Sequence, residues 1–176
     1  MTILRDRNGN IVDIQRDDGP ADPRAEWENF GTMALSHRRY NLGDKHGLNP
    51  GEIQTLLNLR TTLSLPVYAY EHGQLTVSTK PFGCPWDSGQ LGVIFVTKAK
   101  VVETFGAWNA ETKAKALECL EQEVKTYNDY LTGEVYGFRV LDAGTGELID
   151  SCYGFYGSDH EKSGLLESAG VELETV

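Results

Sequence analysis

The chain predicts an α+β fold: a single domain in which a mainly antiparallel sheet of several hairpins packs against one long and one or two shorter helices. Three observations carry this. The tripeptide Tyr-Gly-Phe occurs at Tyr136-Gly137-Phe138 and again at Tyr153-Gly154-Phe155, on either side of the turn-forming stretch Asp142-Ala143-Gly144-Thr145-Gly146-Glu147. Apolar residues step by three or four along one long segment, through Leu117, Leu120, Val124, Tyr127 and Leu131. Elsewhere short β-like runs alternate with turn signals, and no strand-helix-strand period repeats, which argues against a parallel sheet.

Each element has its own local signal. Thr2-Ile3-Leu4 and Ile11-Val12-Asp13-Ile14 flank Asn8-Gly9, a pair suited to the positive φ of a tight turn. Residues 1–22 therefore read as an N-terminal hairpin or arm ending in a flexible connection, Asp17 to Asp22, and residues 23–176 as one α+β domain. Gly31 to Ser36 reads as a buried strand leading into the basic loop His37-Arg38-Arg39-Tyr40. Asn49-Pro50-Gly51-Glu52 has the form of a capped helix start, and Ile53, Leu56 and Leu57 supply a buried stripe for a helix to about Arg60. Val67 to Tyr70 and Leu75 to Thr79 make a hairpin around Glu71-His72-Gly73-Gln74, and Leu91 to Thr97 a further apolar strand. Asn109 caps the long helix Ala110 to Leu131, and Gly133 ends it. The two Tyr-Gly-Phe strands follow, then an amphipathic segment from Glu161 to Ala169.

Pairing Asp142 with Glu147 sets a register for the last hairpin. Arg139 then faces Asp150, Val140 faces Ile149 and Tyr136 faces Tyr153. The same register collects Tyr136, Phe138, Val140, Ile149, Tyr153 and Phe155 on one face, to be covered by the long helix.

Charge and cysteine content bound the function. A net charge of -10 over 176 residues disfavours nucleic-acid or anionic-membrane binding, which needs clustered Lys and Arg to release counterions. Cys84, Cys119 and Cys152 form no CxxC, and their odd number argues against a disulfide framework and for a reducing compartment. With no signal-like apolar run at the amino terminus, a cytoplasmic location is expected. Cys119, beside the helical stripe, and Cys152, within a strand, read as structural.

No catalytic signature emerges. His37, His46, His72 and His160 match no compact metal-ligand spacing, so neither metal nor cofactor is expected. Ser88 lacks a Gly-x-Ser-x-Gly elbow, and there is no phosphate-binding glycine loop. Two loops hold the most distinctive polar groups: His37, Arg38, Arg39, Tyr40 and Asp44 in one, Cys84, Trp86, Asp87 and Ser88 in the other. They are candidate binding or pocket residues, although internal pairing of Arg38 and Arg39 with carboxylates such as Asp44 and Asp87, which would fasten the loops, is the favoured reading of the arginines. A small enzyme or small-ligand binder using both loops is the alternative functional reading.

Leu65-Pro66-Val67-Tyr68-Ala69-Tyr70-Glu71-His72-Gly73, Cys84-Pro85-Trp86-Asp87-Ser88-Gly89-Gln90-Leu91-Gly92, Tyr130-Leu131-Thr132-Gly133-Glu134-Val135-Tyr136-Gly137-Phe138 and Asp150-Ser151-Cys152-Tyr153-Gly154-Phe155-Tyr156-Gly157 resemble a family of small proteins encoded by bacteriophages and other mobile elements. The likeness also touches His37-Arg38-Arg39-Tyr40-Asn41-Leu42-Gly43-Asp44 and so covers most of residues 30–157. It implies a phage or prophage origin and an intracellular, non-virion product, and brings no catalytic residues. With that origin, the leading expectation is a stoichiometric inhibitor of a host defence system, of antirestriction or anti-CRISPR type. It would contact a host protein, such as a nucleic-acid-processing complex, rather than nucleic acid or membrane. The candidate contacts are Glu118, Glu121, Asp159, Glu161 and Glu167, with the loop from Cys84 to Gln90.

Overall fold

Asp6 cages the Asn8-Gly9 turn, its carboxylate accepting the Asn8 and Asn10 N–H groups at 2.9 and 2.8 Å. The turn joins β1 (Thr2–Arg5) to β2 (Ile11–Arg16) in the computed structural model, which describes residues 2–83 and 88–171. A single helical turn, α1 (Pro23–Glu26), is capped by Asp22 and leads to β3 (Thr32–Leu35). In α2 (Pro50–Leu56) the capping box forms as the sequence predicts: Asn49 accepts from Gly51 and Glu52 N–H, and Glu52 accepts from Asn49 N–H. The helix stops at Leu56, short of Arg60, and the Leu56 carbonyl, left without an intrahelical donor, accepts the Thr62 and Ser64 hydroxyls at 3.2 and 3.1 Å.

That strand, β4 (Thr62–Glu71), starts before Val67 and runs through Pro66. Pro66 is tolerated because β4 has one neighbour at this point; its second partner, β5 (Leu75–Ser78), begins pairing only at Tyr68. β6 (Ser88–Thr97) continues directly into α3 (Lys98–Phe105), a helix the sequence pattern did not reveal, started by the Thr97 hydroxyl accepting Lys100 N–H. The long helix α4 (Ala110–Leu131) has the expected bounds. β7 (Val135–Leu141), β8 (Leu148–Tyr156) and the short α5 (Leu165–Ser168) complete an α+β fold with two antiparallel four-stranded sheets.

The chain divides into two compact units, Met1–Ala21 with Gly133–Val176, and Asp22–Thr132. The first holds the sheet β1-β2-β7-β8, so the N-terminal hairpin is an integral half of it, with β2 paired along β7 from Ile11↔Leu141 to Arg16↔Tyr136. Its core is Val12, Ile14, Phe138 and Val140 beneath Leu165 and Ala169 around α5. The cover over this sheet is therefore α5 and its flanks rather than the long helix.

Two bulges change the register of β7 and β8. The observed pairs are Arg139↔Ser151, Val140↔Asp150 and Gly137↔Tyr153, not the Arg139–Asp150, Val140–Ile149 and Tyr136–Tyr153 pairs that a uniform ladder requires. Ile149 and Gly154 are the extra residues, and Gly154 takes φ +91°, a conformation glycine adopts without strain. Every residue of β8 from Leu148 to Gly154 is exposed, Leu148, Ile149 and Tyr153 among them, while Phe138 and Val140 of β7 are buried, so the two strands do not share one buried aromatic face. Cys152 is exposed as well, contrary to a packing role.

The second unit holds the sheet β3-β6-β4-β5 between two helical layers. On one face α4 buries Ala116, Leu120, Val124 and Tyr127 against Met33, Val67, Val77, Ile94 and Val96. On the other, Ile53 of α2 packs on Ala34 and Val93. At about 25 cal/mol per Å² these large apolar clusters are the chief stabilising contribution.

Candidate functional site

Arg24 anchors the loop that leads to the site. Its side chain is 1% exposed; it grips Asp44 through Nε and Nη2 at 2.8 and 2.5 Å, Glu123 through Nη1 at 2.7 Å, and the Gly31 carbonyl at 2.8 Å. Both carboxylates are in turn tied to backbone: Asp44 accepts Met33 N–H, and Glu123 accepts Phe30 N–H. Burial disfavours the Arg24 charge, but the hydrogen bonds to Asp44 and Glu123 outweigh it and the guanidinium is held above its ordinary range. Asp44 thus pairs with Arg24, not with Arg38 or Arg39.

The loop so held carries His37 and Tyr40, whose rings stack 5.1 Å apart. His37 Nδ1 accepts the Arg39 and Tyr40 N–H groups, both at 3.2 Å, which places the proton of the neutral ring on Nε2, 3.7 Å from Glu71. Arg39 lies 3.8 Å from the same carboxylate but is 71% exposed, so this ion pair is weak. Farther along, Gly43 N–H donates to the Tyr127 hydroxyl at 3.0 Å, fastening the loop to α4.

Between that loop, the β4–β5 hairpin and the end of α4 lies an open groove of about 1120 Å³. It is lined by Arg39, Tyr40 and Leu42 of the loop, Glu71 and Gln74 of the hairpin, and Tyr127 and Tyr130 of the helix, together with Asp22 and Ser88. The two α4 tyrosines stack at 6.1 Å, and Gln74 holds the hairpin against the helix end by donating to the Thr132 carbonyl. Burial pushes both phenols above the ordinary tyrosine range, and the nearby Asp22 carboxylate adds to the effect.

Of the residues singled out from sequence, Arg39, Tyr40 and Ser88 meet at this groove. His37, Tyr40 and Asp44 line a smaller adjacent cavity of about 440 Å³ together with His46; Arg38, exposed on the same loop, lines neither. Cys84, Trp86 and Asp87 lie outside the described residues. The acidic candidates separate into two sets. Glu118 and Glu121 are exposed on α4 beside Lys80 and Lys125. Asp159, Glu161 and Glu167 belong to the other unit, where Lys162 lies 2.8 Å from Asp159 and holds its carboxyl below the ordinary range. Arg24, Glu71 and Tyr130 were not among the candidates singled out from sequence, and Glu123, which with Glu121 reads as part of a solvated helix face, instead holds Arg24 and the Phe30 N–H. Tyr130 follows Tyr127 by three residues on the helix, a spacing that could have found it; Arg24 has partners 20 and 99 residues away and no local signal.

Among the described residues no three His, Cys, Asp or Glu side chains converge as a metal-ligand set, and no helix is long and apolar enough to cross a membrane. No family model, curated protein or solved structure matches the chain.

Proposed function

We propose that the protein is an interaction protein that inhibits a host macromolecule by stoichiometric contact, and that the groove between Tyr40, Glu71 and Tyr130 receives a segment of its target. The shape of the groove carries this reading. At about 1120 Å³ it is as large as the largest small-molecule sites, roughly 1,000 Å³, and it is open to solvent along its length rather than enclosed. Exposed tyrosine and arginine at its rim, beside hydrogen-bonding side chains, are the residue types that dominate protein contacts.

The net charge of -10 favours a basic target surface, and the resemblance to mobile-element proteins points to a defence nuclease of restriction or CRISPR type in the cytoplasm of a bacterial host. Many of the carboxylates have cations of their own: Glu111 has Lys115, Asp129 has Lys125, Asp159 has Lys162, and Asp44 and Glu123 share Arg24. A dense uncompensated row, as mimicry of a nucleic acid demands, is not the pattern these residues make.

Titration of purified host restriction and CRISPR nucleases tests the proposal. Activity is expected to fall linearly to an equivalence point, and a Tyr40→Ala/Tyr130→Ala variant to bind at least about tenfold more weakly. Time-dependent inactivation by catalytic amounts of the protein would instead support an enzyme.

A further inference from the structure

The chain closes sheet edges in the second unit with dedicated groups. Along β3, Asp44 occupies the free edge: its N–H donates to the Met33 carbonyl at 2.9 Å and its carboxylate accepts the Met33 N–H at 2.8 Å. Along β5, the Asn128 side chain of α4 accepts the Val77 N–H at 2.9 Å. β8 in the other unit differs. It is the margin of its sheet, it is nine residues long, and no strand lies on its far side among the described residues. From Leu148 through Gly154 every residue is exposed, including the large apolar side chains Leu148, Ile149 and Tyr153. The strand has no Lys or Pro to protect its edge; its bulges at Ile149 and Gly154 leave Asp150–Tyr153 in regular register with β7.

An open edge selects an extended backbone, and the charge along β8 and its flanks selects its composition; the cation of the adjacent strand β7 is Arg139, paired with Ser151. Between Leu141 and Glu161 stand Asp142, Glu147, Asp150, Asp159 and Glu161 and no Lys or Arg. Asp142 is engaged by the N–H groups of Gly144 and Thr145, and Asp159 by Lys162. Glu147, just before β8, and Asp150 within it are exposed and have no ion-pair partner among the described residues. A second copy is the poorer occupant: antiparallel pairing of two β8 strands would gather two such sets of carboxylates on two chains of charge -10.

From this we infer that the β8 edge is a docking site for an extended, lysine- or arginine-bearing segment of another protein, added as a further strand beside Asp150–Tyr153, between the two bulges. Main-chain hydrogen bonds would supply affinity, Ile149 and Tyr153 side-chain contacts, and Glu147 and Asp150 the preference for cations. The inference rests on the contact reading above in taking another protein as the partner, but it uses a separate surface.

The test is titration of the full isotope-labelled chain with a short peptide of alternating lysine and valine, read by amide shifts and hydrogen exchange. Slowed exchange confined to β8 and β7, weakening as salt is raised, is the expected result. Glu147→Lys/Asp150→Lys should weaken binding at least about tenfold, the milder Glu147→Gln/Asp150→Asn should weaken it in part, and Tyr130→Ala in the groove should leave it unchanged. An alternating glutamate and valine peptide acting equally well, perturbation centred on the groove, or dimerisation through β8 in light scattering would each overturn the inference. Peptide binding at β8 without inhibition of any nuclease would leave it standing and remove the nuclease reading instead.

Discussion

Arg24 has the largest expected single-residue effect. Its guanidinium joins Asp44, Glu123 and the Gly31 carbonyl at a side chain only 1% exposed, and removing it strands two carboxylates whose remaining hydrogen bonds come from backbone N–H groups. Arg24→Ala is expected to cost about 3–5 kcal/mol, the range for breaking one side of a buried pair, measured as a lower urea midpoint. Arg24→Lys should recover only part of it, because one ammonium cannot reproduce a fork held at two carboxylates. Titration gives an independent handle. Burial raises the Tyr127 phenol, and the hydrogen bond to Glu134, then burial, raises that of Tyr136. Unfolded tyrosine ionises near pH ~10, so the contribution of both groups is fully present below that pH. It is lost as pH rises through their higher folded values, because only the unfolded chain releases the protons in between. Phenolate absorbance should therefore show late-titrating tyrosines in the native protein, and denaturant stability should fall over the same alkaline window.

Among the elements, legibility followed the range of the signals. α4 runs from Ala110 to Leu131 as read, because Asn109, the apolar stripe and Gly133 all act within a few residues of the positions they specify. The capping box of α2 is equally local, whereas the partners of its last carbonyl are hydroxyls six and eight residues beyond Leu56. The β7–β8 hairpin shows the opposite limit: its turn was visible, yet the bulges at Ile149 and Gly154 left no pattern that a uniform ladder would not also satisfy. At the groove, Arg39, Tyr40 and Ser88 were legible as polar or aromatic loop residues, but nothing near them in the chain announced Tyr130 or Glu71 as neighbours. The bulged register also explains the first Tyr-Gly-Phe glycine. A Cβ on Gly137 would meet the Tyr153 ring and the Cys152 carbonyl, so Gly137→Ala is expected to destabilise by about 1–3 kcal/mol. Adding Tyr153→Ala should return part of that loss in thermal unfolding, since the ring yields and the backbone oxygen does not.

At the scale of the whole molecule, the connectivity makes a demand that neither sheet makes alone. The unit spanning Asp22–Thr132 is continuous, with its own helices, sheet and clusters, while the other joins Met1–Ala21 to Gly133–Val176. In the latter, Val12 and Ile14 of β2 supply the buried partners of Val140 and Phe138, so its C-terminal segment has only part of a core without the N-terminal hairpin. Closing that pairing across the intervening chain carries an entropy cost that grows only as the logarithm of its length, but it must be met before the contacts form. A fragment of residues 22–132 is thus expected to keep helical circular dichroism and unfold cooperatively, with a denaturant slope reduced in proportion to its smaller buried surface. A fragment of residues 133–176 should remain unfolded, and gain strand structure only when the N-terminal hairpin is supplied in the same chain through a short Gly/Ser linker joining residue 21 to residue 133. Cooperative folding of 133–176 alone, or a molten 22–132, would mean that the two halves of the sequence do not divide the folding free energy as their clusters of buried residues indicate.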